Sequence, residues 1–232
     1  MAAEEQGEKK RQVSPAATAY LVLYNVVLCA GWTSIGVIMV KHFIETKSHD
    51  GMYEAFEIPL KVFQTAAVFE IIHAAIGIVP SSVMLTAFQV FSRVFLLWGI
   101  VHSVPQVQDK IGVTIFMLAW TPTEIIRYAF YTFGLMNRLP YLITWCRYTL
   151  FIVLYPMGVT GELLSFYASI SYLKESEMFS ITLPNDYNVS FNYFYFVVVV
   201  MVLYIPIFPR LYSHMIRQRK KIIGGKVIGK QD

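Results

Sequence analysis

Six long apolar stretches, separated by short polar ones, organise this chain. Apolar side chains dominate residues 19–40, 58–79, 83–104, 111–135, 141–173 and 191–208. A helix needs about 20 consecutive apolar residues to cross a hydrocarbon core of roughly 30 Å, so each stretch predicts one spanning helix. Turn residues punctuate them: Pro80-Ser81-Ser82 closes span 2, Pro105 follows span 3, and the loop 136–140 holds Arg138 and Pro140. The fifth stretch is longer than a bilayer needs, so it must tilt, kink at Pro156 or protrude. Polar segments at 41–57 and 174–190 follow spans 1 and 5. The expected fold is an all-α membrane protein, a six-transmembrane-helix bundle. Its expected divisions are a disordered tail at 1–17, a six-span domain at 18–212 and a basic tail at 213–232.

Composition agrees, and charge orients the bundle. The 232 residues are 56% hydrophobic, with a mean hydropathy of +0.53, too apolar for a soluble domain of this size. The net charge of +4 is unevenly placed, with basic runs at Lys9-Lys10-Arg11 and Arg217-Gln218-Arg219-Lys220-Lys221. Acidic loop residues gather instead in 41–57 and 174–190. Basic flanks mark the cytosolic side, so both termini are expected to be cytosolic, and no nucleic-acid partner is expected. The sequon Asn188-Val189-Ser190 then lies on the lumenal side, close to span 6, as a candidate glycosylation site. Span 1 is too long for a removable signal peptide and reads as an anchor. Cys29 and Cys146 have neither metal-ligand nor disulfide-framework spacing. His73 and His102 form no His-x-x-x-His pair, so no metal is expected.

Ionisable residues within the spans carry the candidate chemistry, because burying them in lipid is costly. Glu70 and Glu124 are expected to pair with Arg93 and Arg127 across neighbouring helices, a role that packing alone explains. Tyr155 and Glu162 differ from these. They lie seven residues apart in Tyr155-Pro156-Met157-Gly158-Val159-Thr160-Gly161-Glu162, close to two helical turns, and so share one face. A phenol and a carboxyl group lining one pocket can exchange protons with a ligand. Pro156 strains the helix beside Tyr155, while Gly158 and Gly161 let another helix or a substrate approach the backbone. The alternative is a kinked packing helix with an interfacial tyrosine.

The Tyr-Pro-x-Gly-Val-x-x-Glu pattern of span 5 resembles the membrane very-long-chain (3R)-3-hydroxyacyl-CoA dehydratases, also called protein-tyrosine-phosphatase-like proteins. The resemblance extends over most of the chain from Tyr20 to Arg219. It includes Tyr20-Leu21-Val22-Leu23-Tyr24-Asn25, Gln89-Val90-Phe91-Ser92-Arg93 and Trp120-Thr121-Pro122-Thr123-Glu124-Ile125-Ile126-Arg127-Tyr128. It implies six spans in the endoplasmic reticulum membrane and the third step of fatty-acid elongation, loss of water from a 3-hydroxyacyl-CoA to give the trans-2-enoyl-CoA. It places the catalytic pair on Tyr155 and Glu162. It also implies the other elongation enzymes (condensing enzyme, ketoreductase and enoyl reductase) as partners. The C-terminal Gly229-Lys230-Gln231-Asp232 holds one lysine where such proteins can carry a dilysine retrieval signal.

Phosphatase chemistry, the older association, is excluded by the residues. It needs a cysteine thiolate followed six residues later by arginine, whereas Ile35 follows Cys29 and Ile152 follows Cys146 at that distance. Dehydration instead needs one group to take the C2 proton and another to protonate the departing hydroxyl. The preferred assignment sets Tyr155 at C2 and Glu162 at the hydroxyl, with the reverse left open. Arg127 or Arg147 is the candidate to assist Tyr155. Arg138 and Arg147 are candidates for the coenzyme A phosphates at the cytosolic face, and Gly158 and Gly161 for close approach of the acyl group. The reaction is redox-neutral and no Gly-rich nucleotide motif occurs, so no cofactor is expected. A non-catalytic membrane scaffold of the elongation complex and a small transporter are the competing readings. Intact Tyr155 and Glu162 argue against the first, and the presence of a single broken span argues against the second.

Overall fold

A computed structural model of the chain describes residues 14–186 and 188–224. Among the described residues every regular element is helical, apart from one antiparallel bridge between Ile181 and Phe191. The helices are α1 (Pro15–Thr46), α2 (Met52–Ala66), α3 (Val68–Ala75), α4 (Val83–Phe95), α5 (Pro105–Gln108), α6 (Ile111–Leu135), α7 (Tyr141–Thr149), α8 (Phe151–Ser176) and α9 (Tyr193–Arg219). A π-helical segment, Leu96–His102, continues α4.

Four of these helical runs are long and apolar enough to cross a membrane: Pro15–Thr46, Val83–His102, Phe151–Ser176 and Tyr193–Gly224. Their outward faces are apolar too. On α1, Leu21, Leu28, Trp32, Ile35 and Met39 turn inward, while Leu23, Val26, Val37 and Val40 stay exposed. A helix apolar on both faces belongs in lipid or in the core of a larger body. The other two expected spans behave differently. Span 2 divides into α2 and α3 at Ala67, and the Tyr24 hydroxyl donates to the Ala66 carbonyl at that break, at 3.0 Å. Span 4 is α6, with the boundaries the apolar pattern predicts. It is the central helix, lying between α1 and α8, so neighbouring protein rather than lipid surrounds its polar residues.

Several boundaries move for identifiable reasons. The polar N-terminal tail predicted for 1–17 lies outside the described residues over 1–13. From there Ser14 caps α1, accepting from the Ala17 N–H at 3.2 Å, and Pro15 fits the first helical position. Span 2 ends at Ala75 instead of 79, because Gly77 adopts φ 75° and the Ile78 N–H returns to the His73 carbonyl. Span 5 is two helices, with the break at Leu150 and Pro156 carried inside α8. The last helix passes both Pro206 and Pro209 and continues to Arg219, so 213–219 is helical. The terminal segment 229–232 with its lone lysine lies outside the described residues.

Candidate active site

The antiparallel seam between α8 and α9 positions the predicted pair. At one level, the Tyr155 ring stacks on Phe208, 5.2 Å between centroids and 13° between planes, and on Tyr212 at 6.3 Å and 7°. The Tyr212 hydroxyl donates to the Ile152 carbonyl at 3.3 Å. That carbonyl is open because Pro156, four residues on, has no N–H to offer it. The proline therefore fixes α9 against α8 beside Tyr155.

Two turns further along α8, the Glu162 carboxyl lies between α6 and α9. The Trp120 indole N–H donates to its Oε1 at 2.8 Å, and the Tyr204 hydroxyl donates to its Oε2 at 2.7 Å. The Arg93 guanidinium covers the Trp120 ring, 4.9 Å from the centroid. The phenol and the carboxyl thus lie along one α8–α9 seam, with Trp120 and Tyr204 on the carboxyl and Arg93 over Trp120.

Behind Trp120 runs an ionic network. Glu124, 1% exposed, accepts from Arg93 and, at 2.5 Å, from Arg127. Arg127 also grips Glu70 in a two-bond fork at 2.8 and 3.1 Å, and the Tyr128 hydroxyl donates to Glu70 at 2.6 Å. The expected pairing of Glu70 and Glu124 with Arg93 and Arg127 is what the helices form. Two guanidinium groups are matched by two carboxylates. Glu162 is different. Among the described residues no lysine, arginine or histidine nitrogen lies within ion-pairing distance of it, and neutral donors hold it. It is the carboxyl group of this cluster that neutral donors hold.

The remaining predicted residues separate into groups. Arg127 is committed to the network. Arg147 lies against Phe130 and Tyr131, 4.5 and 4.9 Å from their centroids, and donates to the Tyr131 hydroxyl at 3.3 Å. Arg138 is exposed in the turn between α6 and α7. Gly158 and Gly161 face α6: a Cβ on Gly158 would meet Ala119, and one on Gly161 would collide with the Phe116 and Gly112 backbone. These glycines bring α6, and with it Trp120, close enough to reach Glu162. Asn188 is exposed, in a turn where it adopts φ 50°. The cavity anticipated beside Pro156 is occupied by rings of α9. A groove of about 740 Å³ lies instead between α1 and α6, where Val26, Cys29, Val37 and Phe133 line it.

Sequence reasoning passed over Tyr204, Phe208 and Tyr212. Their spacing of four places them on one face of α9, the face that meets Tyr155 and Glu162. Trp120 was visible only as part of a longer shared block.

Comparison with known proteins supplies the remaining finding. The family model described as "Protein tyrosine phosphatase-like protein, PTPLA" matches residues 64–225. The mouse protein named very-long-chain (3R)-3-hydroxyacyl-CoA dehydratase 2 is 58% identical over 215 residues, 93% of this chain and 85% of its own length. Mouse dehydratase 1 is 49% identical over 229 residues, 99% of this chain and 82% of its own. The Arabidopsis thaliana dehydratase PASTICCINO 2 is 40% identical over 212 residues, 91% and 96% of the two chains. No solved structure matches the chain.

Proposed function

This chain belongs to the protein tyrosine phosphatase-like family, and on that premise we infer that it is a 3-hydroxyacyl-CoA dehydratase. It converts very-long-chain (3R)-3-hydroxyacyl-CoA to trans-2-enoyl-CoA, the water-eliminating step of fatty-acid elongation. The observation that carries the mechanism is the Glu162 carboxyl, held by Trp120 and Tyr204 without a cation of its own, on the same seam as the Tyr155 phenol.

The polarity of the seam supports one assignment of the two roles. Its Tyr155 end lies toward Arg210, Arg217 and Arg219 of α9 and toward Arg147 of α7. The phosphates of coenzyme A suit that basic end, assisted by the exposed Arg138. Glu162 lies roughly 10 Å further along the helix axis. Read from the thioester, C2 precedes C3, so C2 falls toward Tyr155 and the C3 hydroxyl toward Glu162. Tyr155, reacting as the phenolate, takes the C2 proton on its oxygen as the C2–C3 double bond forms, and so becomes the phenol. Glu162 gives its proton to the departing hydroxyl, which leaves as water. Passage of the proton from Tyr155 back to Glu162 resets the pair. Arg93 offsets negative charge that develops between them.

The wider setting follows the same reading. Residues 18–212 form one six-span unit, in which α2 with α3 and α6 join the four longer apolar helices. The ionic network gives the polar groups of α3 and α6 partners inside the bundle. Both termini face the cytosol, the membrane is that of the endoplasmic reticulum, and Asn188 faces the lumen, open to glycan transfer. The condensing enzyme, ketoreductase and enoyl reductase of elongation are its partners. The test is direct. Purified protein incubated with a long-chain 3-hydroxyacyl-CoA is expected to release the trans-2-enoyl thioester, detected by mass spectrometry. Recovery of unchanged substrate would refute the activity.

A further inference from the structure

Between α8 and α9 the chain folds back on itself in a short two-armed loop, 177–192, whose polar groups bond to one another. Ile181 and Phe191 exchange two backbone hydrogen bonds, at 2.7 and 3.0 Å. The Asn185 side chain ties the arms together. Its amide donates to the Thr182 and Val189 carbonyls at 2.9 and 2.7 Å, and its oxygen accepts from the Val189 N–H at 3.3 Å. At the foot of the loop the Ser180 hydroxyl oxygen accepts from the Tyr193 N–H at 3.1 Å. The Asn192 side chain caps α9, accepting from the Tyr195 N–H at 3.2 Å.

The apolar side chains of the same loop are left uncovered. Phe179, Ile181 and Leu183 on one arm and Val189 and Phe191 on the other stay exposed, from 39% at Phe191 to 59% at Phe179. Single exposed apolar residues are ordinary, but five on two paired arms make a patch that calls for a partner. The arms also lack charge. Asp186, exposed at the tip, is the one Asp, Glu, Lys, Arg or His between Met178 and Asn192.

We propose that the two arms rest in the headgroup–acyl boundary of the bilayer where α9 enters it, with the Asp186 tip in water. The place of the loop along the chain argues for lipid as the occupant. No charged residue stands between Asp186 and Arg210. From Tyr193 to Pro209, α9 rises roughly 26 Å at 1.5 Å per residue, short of a hydrocarbon core of about 30 Å. The charge-free arm ahead of Tyr193 supplies the missing depth. Phe191 lies two residues before Tyr193, within about 7 Å of it, and its pairing with Ile181 brings the other arm to the same level. Lipid also accounts for the internal bonding, because a segment that leaves water has to satisfy its own backbone groups. The loop joins the two helices of the seam, so anchoring it fixes the depth of both at this end. The proposal does not depend on the dehydratase reading.

The test uses the full-length protein in phosphatidylcholine vesicles, with Cys29→Ser and Cys146→Ser as background. Ile181→Cys, Leu183→Cys, Val189→Cys and Asp186→Cys each carry one nitroxide label, whose relaxation is read with dissolved oxygen and with a water-soluble nickel chelate. The three arm labels are expected to respond to oxygen and to be shielded from the chelate, at a depth of roughly 5–10 Å into the boundary. The label at the tip is expected to respond to the chelate. Arm labels as open to the chelate as the tip would overturn the proposal, since the arms would stand in water. Arm labels shielded from both reagents would overturn it as well, since protein, such as a second copy of this chain, would then cover them. Every labelled position is already exposed and both arms are sampled, so loss of one variant to misfolding leaves the others to decide.

Discussion

Replacing Tyr204 by Phe is the most informative single perturbation, because it removes one oxygen from the Glu162 environment and little else. The hydroxyl donates to Glu162 Oε2 at 2.7 Å, and Trp120 is the other donor to that carboxyl. The Tyr204 ring, packed edge-on against Phe166, stays in place. As Glu162 gives up its proton it becomes a carboxylate, and a hydrogen bond to a charged group contributes about 1.5–3 kcal/mol. If that energy fixes the carboxyl for proton transfer, its loss slows turnover by about ten- to 150-fold, at 1.36 kcal/mol per factor of ten. The loss belongs in kcat, since Tyr204 positions Glu162 and is not assigned a part in holding coenzyme A. KM should change by less than about threefold, which corresponds to under 1 kcal/mol. Steady-state kinetics in nanodiscs on a single long-chain 3-hydroxyacyl-CoA measure both. A Tyr204→Phe enzyme within twofold of the parent kcat would refute the positioning argument. A rise in KM alone would place Tyr204 in substrate binding.

Other expectations follow from the packing. Arg127→Ala strands Glu70 and leaves Glu124 with Arg93 alone, and should cost about 3–5 kcal/mol, read from reversible unfolding in mixed micelles. An unchanged unfolding midpoint would show that the network is not structural. Gly161→Ala pushes a methyl group into the α6 backbone. It should destabilise by about 1–3 kcal/mol and lower kcat in parallel, as Trp120 is carried away from Glu162. The equivalent change at Gly158, where a Cβ meets Ala119 at 3.5 Å, should be milder on both readouts. Asn188→Gln in cells should remove one glycosidase-sensitive gel shift if the loop is lumenal. An identical mobility before and after substitution would argue against glycan at this residue.

The apolar pattern made most of the helices legible, since a span announces itself by length and composition alone. It could not show that α2 and α3 are separate. Their break at Ala67 contains no proline or glycine, and contacts from Tyr24 on another helix mark it. For the overlong span 5 it offered a tilt, a kink at Pro156 or a protrusion, and not the break at Leu150; Pro156 sits within α8, with the Tyr212 hydroxyl serving the carbonyl that the proline leaves free. Within the site, Tyr155 and Glu162 stood out as polar groups at helical spacing in an apolar run. The two glycines between them were open to either a helix or a ligand, and their local sequence holds nothing that identifies α6 as the neighbour. Tyr204 was hidden for a related reason. A tyrosine in an aromatic-rich span looks like interfacial packing until the partner helix shows what its hydroxyl touches.

Turnover of Tyr155→Phe and Glu162→Gln, each verified as folded by its unfolding midpoint, tests the central claim most directly. Each substitution keeps the shape of the side chain and removes its acid–base group. Both variants are expected to form no detectable trans-2-enoyl-CoA from a substrate that the parent protein dehydrates. A folded variant of either kind that retains substantial dehydration would remove that residue from the chemistry and contradict the account.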